Sequence, residues 1–329
     1  MGKKSNRRTS VTPPPRPTAT TSTAATTGDV PVVGAREQCP CSSGRRYKAC
    51  HGREAGQASE AFIARPFEGL ASECDWVALR EIVPAATSPL TLAGAHADRP
   101  ATLATVLPMA WPGLVRQDGG LFVGLQVNGG SGDASRDVGH ALELALDAEP
   151  GTPIAPVALP APGPRLQDLL DITVPLQVTV HTGFDFWLEG VEDRSPEVVA
   201  SMERANEAAV PTVRLTSVEA AYWCEIRGRR HLRWVVSFDE DTLLDGLARL
   251  HATGEDTLGE GSRYVGSFRA HGLVVPVWDL AEDTSAESLE EPVDAFGARL
   301  AEAMAETGPL SDGARRARAG LRSRQLTLR

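Results

Sequence analysis

The chain has 329 residues, a net charge of −10 and an apolar fraction of 42%, sufficient for one large buried core or two ordinary ones. No run approaches the eighteen uninterrupted apolar residues of a membrane-spanning helix, so no span is predicted. Residues 1–60 hold ten Lys/Arg against four Asp/Glu, and residues 309–329 hold six Arg against one Asp. The body between them is therefore acidic and would repel a phosphate backbone, which leaves nucleic-acid contact possible only through the two basic ends.

Residues 1–35 contain Pro13-Pro14-Pro15, Pro17 and a Thr/Ala-rich run to Thr27, with no hydrophobic periodicity. That composition predicts a disordered basic tail. The first ten residues lack the apolar stretch of a secretory signal, so the expected location is the cytoplasm, where clustered thiols favour a metal over a disulfide.

Cys39–Gly52 reads CPCSSGRRYKACHG, with three of the five cysteines and a histidine in fourteen positions. The order Cys39-x-Cys41, eight residues, then Cys50-His51 offers three thiolates and an imidazole, the donor set of a tetrahedral Zn²⁺ site. Ser42, Ser43 and Gly44 supply a bend between the pairs. The alternative is a metal-free cysteine cluster. A segment this small has almost no core, so the metal would provide most of its folding energy. The stretch, about residues 36–53, resembles the SEC-C motif, the zinc module at the C-terminus of the SecA translocation ATPase. Cys39, Cys41, Cys50 and His51 fall on its ligand positions, Tyr47 on its aromatic position and Gly44 on its second glycine, while Ser42 replaces the first. Arg45, Arg46 and Lys48 keep its basic middle. The resemblance implies zinc, and for SecA it implies binding of the chaperone SecB and the ribosome. Fold and partner separate easily, so the partner here is expected to be a protein or the ribosome without being specified.

Residues 54–99 are expected to be a helical linker segment: Ala58, Ala61, Phe62, Leu70 and Trp76–Leu79 are interrupted by Pro66 and Gly69, which favours two short helices. Cys74 stands alone and is expected to be a structural thiol, as is Cys224. From residue 100 a strand–strand–helix pattern recurs. The first unit pairs Leu114–Arg116 with Leu121–Val127 about Asp118-Gly119-Gly120, followed by a helix around Val138–Leu146. The second pairs Val174–Val180 with Phe184–Leu188 across His181-Thr182-Gly183, and its helix begins at Ser195-Pro196-Glu197.

In the third unit Leu232, Trp234, Val236 and Phe238 point one way, and a helix follows Asp239. The fourth pairs Tyr264–Phe268 with Leu273–Leu280, where Pro276 suggests an edge strand or bulge, before a helix bearing Val293, Phe296, Leu300 and Met304. Pro100–Val127 aligns with Pro211–Phe238 without gaps, with five identities. The predicted architecture is α+β: two similar ββαββα halves, residues 100–210 and 211–308, of antiparallel hairpins with helices on one face. Ala209–Ser217 would join them. Residues 309–329 form a basic C-terminal tail, either a short helix broken at Gly320 or a segment laying Leu321, Leu326 and Leu328 on the body; docking on the acidic body is preferred to RNA binding.

No phosphate-binding G-x-x-x-x-G-K-[ST], G-x-S-x-G, H-E-x-x-H or G-x-G-x-x-G pattern occurs, which excludes a SecA-like ATPase motor. The loop Gly129-Gly130-Ser131-Gly132-Asp133 could hold an anion but lacks a cation. Asp185, Glu189, Glu192 and Asp193 cluster, though acidic residues are common throughout. The histidines outside the motif stand singly, and Trp187, Trp223, Trp234 and Trp278 are expected in the core. No catalytic or cofactor-binding residue is assigned. The expectation is a zinc-binding adaptor, the SEC-C segment contacting a partner and the acidic domain offering a second surface; the alternative is an enzyme with its site between the halves. The layout also resembles a bacterial family of uncharacterised proteins, seen mainly in actinobacteria, with a SEC-C motif before a domain of unknown function.

Overall fold

The computed structural model describes residues 33, 36–50, 62–127, 130–156, 159–160, 162–188 and 195–323. The chain divides into two compact units, residues 1–59 and 60–329. The first is the metal-site unit taken up below. The second is α+β, with seven α-helices and two sheets among the described residues.

Its first sheet contains β1 (Ala86–Leu90), β2 (Ala101–Ala104), β3 (Gly113–Val115), β4 (Leu121–Gly124), β5 (Pro153–Ile154) and β6 (Thr179–Val180), in the order β5-β3-β4-β2-β1-β6. The hairpin predicted about Asp118-Gly119-Gly120 is present, with Gly120 N–H donating to Asp118 Oδ1 at 2.9 Å. The second sheet contains β7 (Thr212–Arg214), β8 (Ala221–Ile226), β9 (Arg229–Trp234), β10 (Arg263–Ala270) and β11 (Leu273–Asp279), ordered β10-β11-β9-β8-β7 and antiparallel throughout. Two of its hairpins turn on two residues of positive φ, Arg227-Gly228 (52° and 75°) and His271-Gly272 (46° and 80°). That geometry matches the twist of the flanking strands, and glycine fills the second position in both.

Seven helices flank the sheets: α1 (Glu73–Glu81), α2 (Ala134–Asp147), α3 (Leu166–Leu169), α4 (Pro196–Ala208), α5 (Glu240–Thr253), α6 (Glu290–Ala305) and α7 (Asp312–Ser323). Helices α4 and α5 start where predicted, capped by the side chains of Ser195 and Asp239, while α2 begins four residues before the predicted Val138, capped by Asp133. The largest core joins the two sheets: Leu103, Leu121 and Val123 from the first, Phe268, Val275 and Val277 from the second, with Trp76 and Leu79 of α1 and Val138 and Leu142 of α2. The far face of the second sheet buries Leu232, Trp234 and Trp278 under α5, α6 and α7. A smaller core gathers Leu107, Phe184, Phe186 and Trp187 against α4.

In β10 the buried positions are all even-numbered, yet Tyr264 faces the α5–α7 side while Phe268 and Ala270 face the core between the sheets. The register shift between Tyr264 and Gly266 accounts for the change: one extra residue, Val265, switches the side on which the even positions lie.

Several expectations are corrected. Val174–Val180 does not pair with Phe184–Leu188. Thr179–Val180 pairs with Ala86–Thr87, and Asp185–Leu188 is a 3₁₀ turn. Phe184, Phe186 and Trp187 all bury into one small core, which a turn achieves and an alternating strand cannot. The 54–99 stretch contains helix α1 but also β1, so the first sheet begins at Ala86. The two sheets share a hairpin-then-helix order but not their strand order: β2 pairs parallel with β4, whereas β7 pairs antiparallel with β8. Strand β7 occupies the middle of the proposed joining segment.

Pro276 lies on an interior strand. Its partner ladder with β9 covers Val277–Asp279 and resumes only as the Val236–Val274 bridge, so the proline sits in the gap. Phe238 lies beyond the end of β9 and is exposed. Helix α7 runs through Gly320 and docks by Leu321, with Arg318 paired to Asp241 and Asp245; Leu326 and Leu328 lie outside the described residues.

Candidate metal centre

Residues 36–50 are shaped by their own backbone. Gln38 bridges Arg46, Cys39 N–H donates to the Arg45 carbonyl at 2.8 Å, and Tyr47 N–H donates to the Glu37 carbonyl at 2.7 Å. The turn so closed needs left-handed backbone at two places, Ser42 (φ 61°) and Gly44 (φ 68°). Glycine takes this conformation freely; the serine replacing the motif's first glycine takes it against the usual steric preference of L-residues. A 3₁₀ turn, Tyr47–Ala49, then reverses the chain, with Cys50 N–H donating to the Tyr47 carbonyl at 3.0 Å. Cys39 and Tyr47 are buried.

This path brings the sulfurs together. Cys41 Sγ is 3.4 Å from Cys50 Sγ, and the Sγ atoms of Cys39, Cys41 and Cys50 all lie within 4.8 Å of one another. Thiolates bound about 2.3 Å from one tetrahedral ion stand roughly 3.8 Å apart, so this spacing fits a single metal. Ser43 Oγ lies 3.2 Å from both Cys41 Sγ and Cys50 Sγ. Its hydroxyl is the main cause lowering the Cys41 thiol to about 6, helped by Cys39 and the Ser43 backbone. The same hydroxyl favours the Cys50 thiolate, but the Cys41 sulfur, burial and Cys39 outweigh it and leave that thiol raised. Such opposed shifts are expected of crowded thiols, where ionising one makes ionising its neighbour harder. The structure thus brings Cys39, Cys41 and Cys50 together; His51, the fourth ligand named from the sequence, lies outside the described residues.

The other sequence candidates resolve differently. Cys74 and Cys224 are buried, and burial pushes the Cys74 thiol up to about 12 and the Cys224 thiol up as well. In the glycine-rich loop, Ser131 N–H and Oγ both donate to Asp137 Oδ1 at 2.9 Å, so that amide is turned inward and away from any anion. Gly129 of that loop, and Glu189, Glu192 and Asp193 of the acidic cluster, lie outside the described residues. Four histidines expected to stand singly have partners: three are distant in sequence, His231 with Asp279 (3.0 Å), His271 with Glu81 (2.7 Å) and His181 with Thr87 (2.8 Å), and one is local, His251 with Asp256 (2.6 Å). The His231–Asp279 contact crosses paired strands and was open to a reading that fixed the register of β9 and β11.

Sequence reasoning also missed a buried polar cluster. Asp75 on α1 accepts from Tyr222 Oη at 2.6 Å and from Arg214 Nε and Nη2 at 3.1 and 2.9 Å. These residues are 139 and 147 positions from Asp75, beyond any local signal.

The loop and its converging thiols define a metal-binding module of the SEC-C class, and the SEC-C motif matches residues 36–53. A 41-residue stretch is 49% identical to Protein translocase subunit SecA of Ralstonia nicotianae. The match covers 12% of this chain and 4% of the translocase, so the similarity is one of a module and not of whole proteins. Residues 66–329 match the Family of unknown function (DUF5926), and the chain belongs to that family. No solved structure matches the chain.

Proposed function

We propose that the protein is a zinc-dependent adaptor. Cys39, Cys41, Cys50 and His51 hold one Zn²⁺, which supplies the folding energy that so small a loop lacks. The loop then presents Arg45 and Arg46, both exposed, to a protein or ribosomal partner in the cytoplasm, with the acidic second unit offering a further surface. The observation that carries this proposal is the convergence of three sulfurs within 4.8 Å. Three thiolates and an imidazole suit zinc over the harder cations, which prefer oxygen. The competing enzyme reading places a site between the two sheets, but that space is filled by Trp76, Leu79, Leu121, Val275 and Val277. Its polar insertion, Asp75, is closed off by Arg214 and Tyr222.

Two measurements on the full-length protein test the proposal. Elemental analysis should find about one zinc per chain, falling to background in the double variant Cys39→Ser, Cys41→Ser. Stoichiometric zinc in that variant would refute the ligand assignment. Sedimentation with purified ribosomes, and capture of partners from native lysate, should be lost in the same variant; partners retained unchanged without zinc would refute the adaptor role.

A further inference from the structure

A second site lies in the other unit, on the flank of α2. The outward face of that helix presents Asp137, His140 and Leu144, spaced so that they share one side. Opposite them stand Pro112, Val127 and Ile154, enclosing a cleft of about 200 Å³. Met109 and Ala110 form one rim, both held at a φ of 55°. Two successive non-glycine residues in left-handed backbone are costly, and hydrogen bonds from Ala110 N–H to Leu107 and from Trp111 N–H to Pro108 fix them there.

The two polar groups in this mostly apolar cleft are incompletely used. Asp137 Oδ1 accepts twice from Ser131, which orients the carboxylate, while Oδ2 has no hydrogen-bond partner among the described residues. The nearby cation, Arg80, donates to the Leu125 carbonyl instead. The His140 ring makes no hydrogen bond among the described residues. Its nearest carboxylate, Glu143, is 3.9 Å from Nδ1 and is itself held by Arg136 at 2.9 Å. An apolar cleft with a few convergent polar groups is the usual form of a small-molecule site.

We propose that this cleft binds a small organic amine: an ammonium group donating to Asp137 Oδ2 and to a ring nitrogen of His140, with a compact apolar body against Val127, Leu144 and Ile154. The carboxylate selects a positive head over a neutral or negative one, and the hydrophobic wall excludes amines without an apolar body. The assignment is independent of the metal module.

The test uses full-length protein and three probes of one shape: 2-phenylethylamine, 2-phenylethanol and 3-phenylpropionate, titrated calorimetrically and by ligand-observed NMR. The expected order is amine, then alcohol, then acid. Asp137→Asn keeps an acceptor for Ser131 but removes the charge, and it should weaken the amine about tenfold while moving the alcohol less than about twofold. Ala155→Phe, at an exposed rim position, should fill the cleft and abolish binding of all three without altering thermal unfolding. The proposal is overturned if the alcohol binds as tightly as the amine, if Asp137→Asn leaves the amine unchanged, or if Ala155→Phe binds as the native protein does. Absence of saturable amine binding to the native protein overturns it equally.

Discussion

Replacing Tyr222 by phenylalanine probes a buried ionic cluster that ties α1 to the second sheet. The ring stays in place and only the hydroxyl is lost, so packing is conserved while Asp75 Oδ1 gives up its 2.6 Å bond and keeps Arg214 Nε at 3.1 Å. Asp75 and Tyr222 are each 1% exposed, so water cannot substitute for the missing donor. A hydrogen bond to a charged group contributes about 1.5–3 kcal/mol. For a unit of this size that corresponds to a fall in Tm of roughly 3–12 °C.

Asp75→Asn strands Arg214 without its counter-charge and should cost more, about 3–5 kcal/mol. The double variant should be less destabilised than the sum of the two, because the Tyr222 hydrogen bond contributes less once its acceptor has lost its charge. Burial, and then the Asp75 charge, hold the Tyr222 hydroxyl protonated well above its ordinary range. Its contribution is therefore complete below about pH 10 and is lost as pH rises beyond it, a loss the Phe variant should not show. Thermal unfolding of Tyr222→Phe indistinguishable from native at neutral pH would refute the reasoning.

Three further outcomes follow from the same structure. The hydrogen bond from His271, with the charges of His271 and Arg80, depresses the Glu81 carboxyl against the opposing effect of burial. Its stabilisation is present above the ordinary glutamate range and lost as pH falls through it, so Glu81→Gln should flatten the decline in Tm below about pH 4.3. Cys74 and Cys224, buried and with raised thiols, should resist iodoacetamide at pH 8 in the native protein and react after denaturation, as mass spectrometry would report. Leu321→Ala empties a buried position under α7 and should cost about 2–5 kcal/mol, seen as faster hydrogen exchange over residues 312–323.

Features written in short-range chemistry were legible. The thiol spacing of Cys39, Cys41 and Cys50 named a metal loop, and Ser195 and Asp239 marked helix starts that the structure keeps. The Tyr264–Leu280 hairpin and the helix with Val293, Phe296 and Leu300 carried clear periods of two and of three to four residues. Strand β1 did not, because its Ala-Thr-Ser-Pro-Leu sequence has little strand preference and owes its form to β2 and β6. The alternation of Val174–Leu188 misled because three aromatic side chains there serve one compact core. The α2 cleft depends on β3, β5 and α2 meeting in space, which no window of sequence contains.

The bonds from Asp75 to residues 139 and 147 positions later have a kinetic consequence. Two of the four strand pairs in the second sheet, β8–β9 and β10–β11, are joined by two-residue turns, and such local pairings close quickly. The first sheet waits for β1 to find β6, and α1 waits for a finished β7 and β8 to offer Arg214 and Tyr222. In the second unit the segment made first is thus among the last to be locked. Until then Trp76, Val77 and Leu79 lack the cover that the second sheet supplies, and a nine-residue segment has little helical stability of its own without that packing.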